Sequence, residues 1–404
     1  MNHDSTILSS RHAVLLFTIL FLFTSTNYVP LSAVPSAIAI VLFPLVIFTQ
    51  YIPNITYYSI FYYAISLFSA AIYDPRSFIN YDFYRYDGNF ILSYAPTLAL
   101  PLLRARWNIE RTLKISISIM TLVSAVGLCV KFSLGLSIAN GLFIADNAFG
   151  GFLMFTLGFS LVWFYYERAT FVLFILCLNI IMMYISYSRG SELAVIAAVI
   201  ATVSINKGRS YIPILMVIFV VTVESIILWY TYPIYVHLDL ERHIYKFIGT
   251  IHPSTKVGNV LIRAFENWPR GLYDFLHSPI FGGGFGSVND VPLKFSHAVS
   301  VFQLNQSHNY AYNDSSAHNT YIQILAEQGI FGLTVFILFW TSIHSFIRDS
   351  IDIPIIRNTL MISFWSLTFA SFTEVRIQSG SNEFPFMICL LLYYSYISSI
   401  RRLP

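Results

Sequence analysis

Of the 404 residues, 56% are hydrophobic and only 11% are charged, with a formal net charge of +3. A soluble domain carries about 25% charged residues, so there are too few polar groups here to cover a globule, and the composition points to a membrane protein. Aromatic residues make up 17%, largely Phe and Tyr, which suits a lipid-facing exterior with interfacial belts.

Crossing the hydrocarbon core takes about 20 mostly apolar helical residues. Segments that meet or approach this fall at 12–28, 32–50, 55–73, 88–103, 113–130, 147–166, 170–186, 191–205, 211–231, 326–346, 355–373 and 384–400. No convincing small-residue cleavage site follows the first, which is therefore expected to be retained. The expected fold is an all-α polytopic membrane protein with about twelve transmembrane helices, forming one integral membrane domain over 1–404. Cys129, Cys177 and Cys389 all lie in apolar runs and are expected to pack in the core rather than bridge or bind metal.

Lys and Arg set the orientation. With a cytoplasmic N-terminus, the fourth span runs into Arg104, Arg106, Arg111 and Lys114, and the eighth into Lys207 and Arg209. Arg348 and Arg357 follow the tenth, and Arg401 and Arg402 end the twelfth. Both termini are then cytoplasmic. Three segments fall outside: a short loop with Arg76 and Arg85, the tip Ser188-Arg189-Gly190, and a long loop, 232–317, between spans nine and ten. Within that loop, residues 260–281 place Leu261, Phe265, Trp268, Leu272, Phe275 and Leu276 near helical spacing, predicting an amphipathic helix on the membrane body. Pro279 and the glycine-rich run 282–286 follow. Loops this long with structure of their own are usually functional.

Arg189, at an external helix end, reads either as a snorkelling interfacial side chain or as an anion site, since a guanidinium matches phosphate oxygens in a bidentate fork. Asp314 or Ser315 is a plausible N-cap for the tenth helix, which puts His318 in its first turn, where the helix dipole favours a ring able to accept a proton. An ordinary interfacial histidine is the alternative, and His308 a plausible decoy. Asn319, Gln323 and Glu327 step by four and form one polar stripe, whose carboxylate needs a partner or a polar cavity. Gly329 and Gly332 permit close helix approach. Arg270 is expected to solvate the polar face of the loop helix, and the triple glycine is a weak candidate for a phosphate nest. No metal-ligand cluster and no Walker-type loop is present.

Together these residues resemble the O-antigen ligase and O-antigen polymerase superfamily of bacterial envelope glycosyltransferases. The most specific match is His318-Asn319, nine residues, then Gly329-x-x-Gly332, after the large loop. Ser188-Arg189-Gly190 opening a short apolar helix is a second. Arg263 followed by Trp268, then Pro279-Ile280-Phe281-Gly282-x-Gly284-x-Gly286, is a third. The arginine-to-tryptophan spacing is five where four is usual in the family, and Leu333 stands where ligases often have Thr. The resemblance covers most of residues 140–345. It implies a glycan donor on undecaprenyl pyrophosphate and, as acceptor, either lipid A-core (a ligase, slightly favoured) or a growing glycan (a polymerase of O-antigen, capsule or exopolysaccharide). It also implies an inner-membrane, periplasm-facing site in which Arg189 and Arg263 hold the diphosphate and His318 is the general base, with inversion at the anomeric carbon. Neither a cofactor nor a metal nor a nucleic-acid partner is expected. A transporter or flippase of lipid-linked sugars is the rival from another class; it should place ionisable groups in paired, interrupted helices at mid-membrane.

Overall fold

The computed structural model describes residues 33–46, 48–49, 52–73, 94–102, 108–143, 146–237, 263–284, 287–290, 317–374 and 380–401. The first predicted span, the loop bearing Arg76 and Arg85, the residues Arg104 and Arg106, and His308 lie outside these. So does most of the 232–317 loop.

Among the described residues every regular element is helical. Helices α1 (Ala33–Val46), α2 (Asn54–Tyr73), α3 (Ile109–Ser133), α4 (Asp146–Glu167), α5 (Thr170–Ile185), α6 (Arg189–Asn206) and α7 (Tyr211–Val236) precede the loop. Within the loop a π-helical turn, Arg263–Asn267, runs into α8 (Trp268–His277), and α9 (Ser287–Asp290) follows. Helices α10 (Thr320–Ser350), α11 (Pro354–Ala370) and α12 (Gly380–Arg401) complete the chain. Six of these, α2, α3, α4, α6, α7 and α10, are long and apolar enough to cross a membrane. Where the fourth span is expected, the described part is a buried 3-10 segment, Ala95–Leu102, with Pro101 inside it, and not an α-helix. Cys389 is buried as expected, but Cys129 and Cys177 lie exposed on the helix exteriors.

Helix α4 is the centre of the bundle, with most of its length buried. Its Gly158 leaves room for Ile362 of α11, whose side chain would meet an added Cβ at 3.0 Å. Asn179 of α5 pins three helices together, donating to Thr121 Oγ1 at 3.1 Å and Ser160 Oγ at 3.2 Å while accepting from Thr156 Oγ1 at 2.8 Å. Inside an apolar bundle such side chains must find one another, because lipid offers no alternative partner. Helix α7 lies at the periphery and turns Ile214, Phe219, Ile226 and Trp229 outward.

Polar contacts sort the helix ends onto two faces. On one, Lys114 at the start of α3 pairs with Glu110 and with Glu167 at the end of α4. There too Asn358 of α11 accepts from Asn206 of α6 at 3.0 Å and donates to Tyr166 of α4 at 3.1 Å. Lys207 and Arg209, just beyond α6, belong to this end. The opposite face gathers the starts of α4, α6 and α10 and the end of α11.

Helix α10 is not continuous. Gly329 breaks it with φ 65° and ψ −168°. The loop segment 278–284 lies across the break and completes its hydrogen bonding. The amides of Ile330 and Phe331 donate to Pro279 O at 2.9 Å and Ile280 O at 3.2 Å. The carbonyls of Ala326 and Glu327 accept from Gly283 N at 2.7 Å and Gly284 N at 2.9 Å. An unbroken helix would have joined these same four groups to each other, N–H to the carbonyl four residues earlier. Unpaired backbone groups are costly in an apolar setting, so a helix can break there only where something else bonds to the freed groups. The loop backbone does so. Gly329 therefore admits a loop rather than a neighbouring helix, and Gly332 makes room for the Gln328 side chain. All three amides of the triple glycine are already committed to carbonyls instead of forming a phosphate nest.

Candidate active site

Four consecutive residues after α11 organise the opposite face. Ser371 O accepts from Thr320 N at 2.9 Å, Phe372 O from Asn319 Nδ2 at 2.8 Å, and Thr373 O from Arg263 Nη1 at 2.6 Å. Glu374 follows with its carboxylate. Oε1 accepts from Arg263 Nη2 at 2.5 Å and from Asn147 Nδ2 at 2.9 Å, and Oε2 lies 3.1 Å from His318 Nδ1. One carboxylate thus joins Arg263, His318 and the start of α4. Glu374, Arg263 and His318 are mostly shielded, at 13–17% exposure. That shielding strengthens each charge interaction relative to open water.

His318 is not in the first turn of α10. Asn319 is the N-cap, with extended backbone (φ −153°, ψ 114°) and a side-chain oxygen accepting from Tyr321 N at 3.0 Å and Ile322 N at 3.1 Å. Asn favours this position because its oxygen satisfies first-turn amides that lack helical partners. Asp314 and Ser315 lie outside the described residues. His318 precedes the cap with φ 47°, a conformation β-carbon sterics disfavour and which is enriched at functional positions. That backbone turn aims the imidazole at Glu374 instead of along the helix.

The polar stripe is present and fully buried. Asn319, Gln323 and Glu327 are 0%, 4% and 0% exposed, and Gln323 Nε2 donates to Glu327 Oε1 at 3.3 Å. Asn319 Nδ2 also reaches Glu224 Oε1 of α7 at 3.2 Å. Around the helix break, Ser69 Oγ of α2 donates to Glu327 O at 3.1 Å and Ser66 Oγ to Gln328 Oε1 at 3.3 Å.

Arg189 stands apart from the Glu374 cluster. It opens α6, pairs with Glu192 Oε2 at 2.7 Å, and stacks over Tyr184 at 5.3 Å. It remains about half exposed. Tyr184 and Glu192 also line a groove of about 480 Å³ whose other walls are apolar, among them Ile180, Met183, Val195 and Ile196. A cation thus sits at the head of an apolar channel. Arg270 departs furthest from expectation: it is 1% exposed, not solvated.

Two participants were not singled out in the sequence. Glu374 is an ordinary carboxylate in a short connection between two apolar runs, and its only sequence signal is that the expected topology puts it on the same face as His318. Glu224, in the middle of α7, was legible as a charge within an apolar run.

In comparison with known proteins, residues 172–337 match the family model described as O-antigen ligase. No curated protein matches the chain. The matched stretch runs from α5 through the break in α10 and contains Arg189, Arg263 and His318, while Glu374 lies beyond it. Gly282, Gly284 and Gly329 of its motifs are among the residues that seat the loop on α10. Over this segment the chain is similar to the O-antigen ligase family.

Proposed function

We propose that the chain moves a glycan from undecaprenyl pyrophosphate to an acceptor hydroxyl at the periplasmic face of the inner membrane, without a metal and with inversion. The observation that carries this reading is the single carboxylate of Glu374 shared between Arg263 and His318. A histidine whose Nδ1–H is directed to a carboxylate has its tautomer and ring orientation fixed, with Nε2 as the basic nitrogen. His318 Nε2 then takes the acceptor hydroxyl proton as the acceptor oxygen bonds to the anomeric carbon. The bond from that carbon to the diphosphate oxygen breaks, and the electron pair leaves on the diphosphate. Arg263 has five N–H donors, of which Glu374 and Thr373 engage only part, so the fork also serves the leaving group. Arg189, at the mouth of the apolar groove, suits a phosphate whose lipid tail lies between α5 and α6.

Ligation to lipid A-core is favoured over polymerisation by the His-Asn-to-Gly pattern, and a repeat-unit polymerase is the alternative. Against a transporter, the break in α10 is filled by loop backbone and leaves no open ion site.

The test is purified protein supplied with undecaprenyl-pyrophosphate glycan and candidate acceptors in the presence of chelator. Transfer is expected, and none with any acceptor would overturn the proposal. In that assay Arg189→Ala should abolish transfer, and Arg189→Lys should restore little of it, because an ammonium does not reproduce the planar fork. Full activity in the Lys variant would reduce Arg189 to an interfacial anchor.

The orientation has its own test. A reporter active only in the periplasm should be active when fused near Asn289 and silent near Lys207. The reverse pattern would place the Glu374 cluster on the cytoplasmic side and end the proposal.

A further inference from the structure

Arg270 and Asn267 lie three residues apart at the junction of the π-turn and α8, so their side chains share a face. Both are 1% exposed. All three guanidinium nitrogens of Arg270, and both side-chain polar atoms of Asn267, make no hydrogen bond among the described residues. Asp274 follows one turn along the same face, yet it does not bond to the guanidinium. This is unusual chemistry. An arginine cannot shed its proton to become neutral, and removing it from water without a counter-charge is strongly unfavourable.

The place is well defined. Gly271, the next residue, packs so closely on α10 that an added Cβ would lie 2.6 Å from Ile322 and 3.8 Å from Cβ of Ala317. Ala317 is the neighbour of His318. Among the described residues, the other two arginines of this face each have a carboxylate partner, Glu192 for Arg189 and Glu374 for Arg263. Arg270 has none among the described residues.

We propose that Arg270 and Asn267 form a second oxyanion-binding pocket, beside the His318 cluster, which takes a phosphate or carboxylate group carried by a glycan substrate. The guanidinium supplies the charge and a planar donor fork, and the Asn267 amide supplies a further N–H. Two sources share this chemistry: a phosphoryl group of the lipid donor and the carboxylate of an acidic sugar. That the ligand belongs to a glycan rests on the proposed function, but the existence of the pocket does not.

The experiment measures Tm of the purified full-length protein in detergent, without turnover, while inorganic phosphate, undecaprenyl phosphate or D-glucuronate replaces chloride at constant ionic strength. Wild type should show a saturable rise in Tm with at least one probe. Phosphate and undecaprenyl phosphate acting alone would assign the pocket to the donor, and glucuronate acting alone would assign it to an acidic sugar. Arg270→Gln should lose the response while being no less stable than wild type without ligand, because the substitution removes a buried, unpaired charge. Arg348→Gln, at the far end of α10 where Arg348 pairs with Asp349, should respond as wild type does. The proposal fails if no probe raises Tm, if the response survives in Arg270→Gln, or if Arg270→Gln is markedly less stable, which would mark Arg270 as a structural ion-pair member. A protein inactive in glycan transfer but responsive here would refute the proposed function and leave the pocket standing.

Discussion

His318→Ala is expected to slow glycan transfer by about 10²–10⁴-fold, the usual contribution of a general base. Insertion and donor binding should survive, because the base acts on the acceptor while the lipid diphosphate is held elsewhere. Glu374→Gln should fall in the same direction by about 10–100-fold, the effect typical of removing a carboxylate that orients a functional histidine. Its loss should appear mainly in kcat, and Glu374→Asp should recover part of it, as a purely structural role would not require. His308→Ala is the control, since it shares the His-Asn dipeptide but lacks the helix and glycines that follow. If His318→Ala transfers at the normal rate while His308→Ala is dead, the base has been assigned to the wrong histidine, and the role of Glu374 goes with it.

The second large effect concerns the junction between loop and helix. Gly282→Ala and Gly329→Ala should each prevent the loop from seating on α10. A Cβ at Gly282 would lie 2.2 Å from the Glu327 carbonyl carbon, and one at Gly329 would lie 2.3 Å from Ile280 O. Both obstacles are backbone, which cannot swing aside as a side-chain tip can, and both glycines have positive φ (73° and 65°). Strain of this kind costs about 1–3 kcal/mol, and overpacking adds a similar amount. Gly135→Ala separates the two causes: its φ is 67°, but no atom lies within 4 Å of the added carbon. It should lower Tm only slightly. If Gly282→Ala and Gly329→Ala were no worse than Gly135→Ala, the junction would not depend on close approach, and the loop would not be seated as described.

The all-helical fold was legible in the sequence because apolar runs and their lengths are local properties. Of the twelve expected spans, six, not all, are matched by helices long and apolar enough to cross a membrane among the described residues. The predicted runs 147–166, 170–186 and 191–205 lie within a few residues of α4, α5 and α6. The motif from His318 to Gly332 was equally visible, but its physical meaning was not. Two glycines three apart look the same whether they admit a helix or mark a break, and only the position of residues 278–284 distinguishes them. Glu374 was missed because its importance comes from meeting Arg263 and His318, which lie 111 and 56 positions away. Arg270 misled for a related reason. A charged residue on an amphipathic helix is usually solvated, and nothing local signals that the polar side has been covered.

The break in α10 also changes what that helix spans. At 1.5 Å per residue, residues 330–350 alone reach about 31 Å, which already matches a hydrocarbon core of about 30 Å. The nine residues ahead of the break are surplus to any crossing. They form a short rod fastened at both ends to other parts of the chain: residues 371–374 at its cap and residues 278–284 at its foot. If residues 330–350 make the crossing, the proposed orientation puts the stripe from Asn319 to Glu327 in the floor of the external layer, where its protein neighbours shelter Glu327.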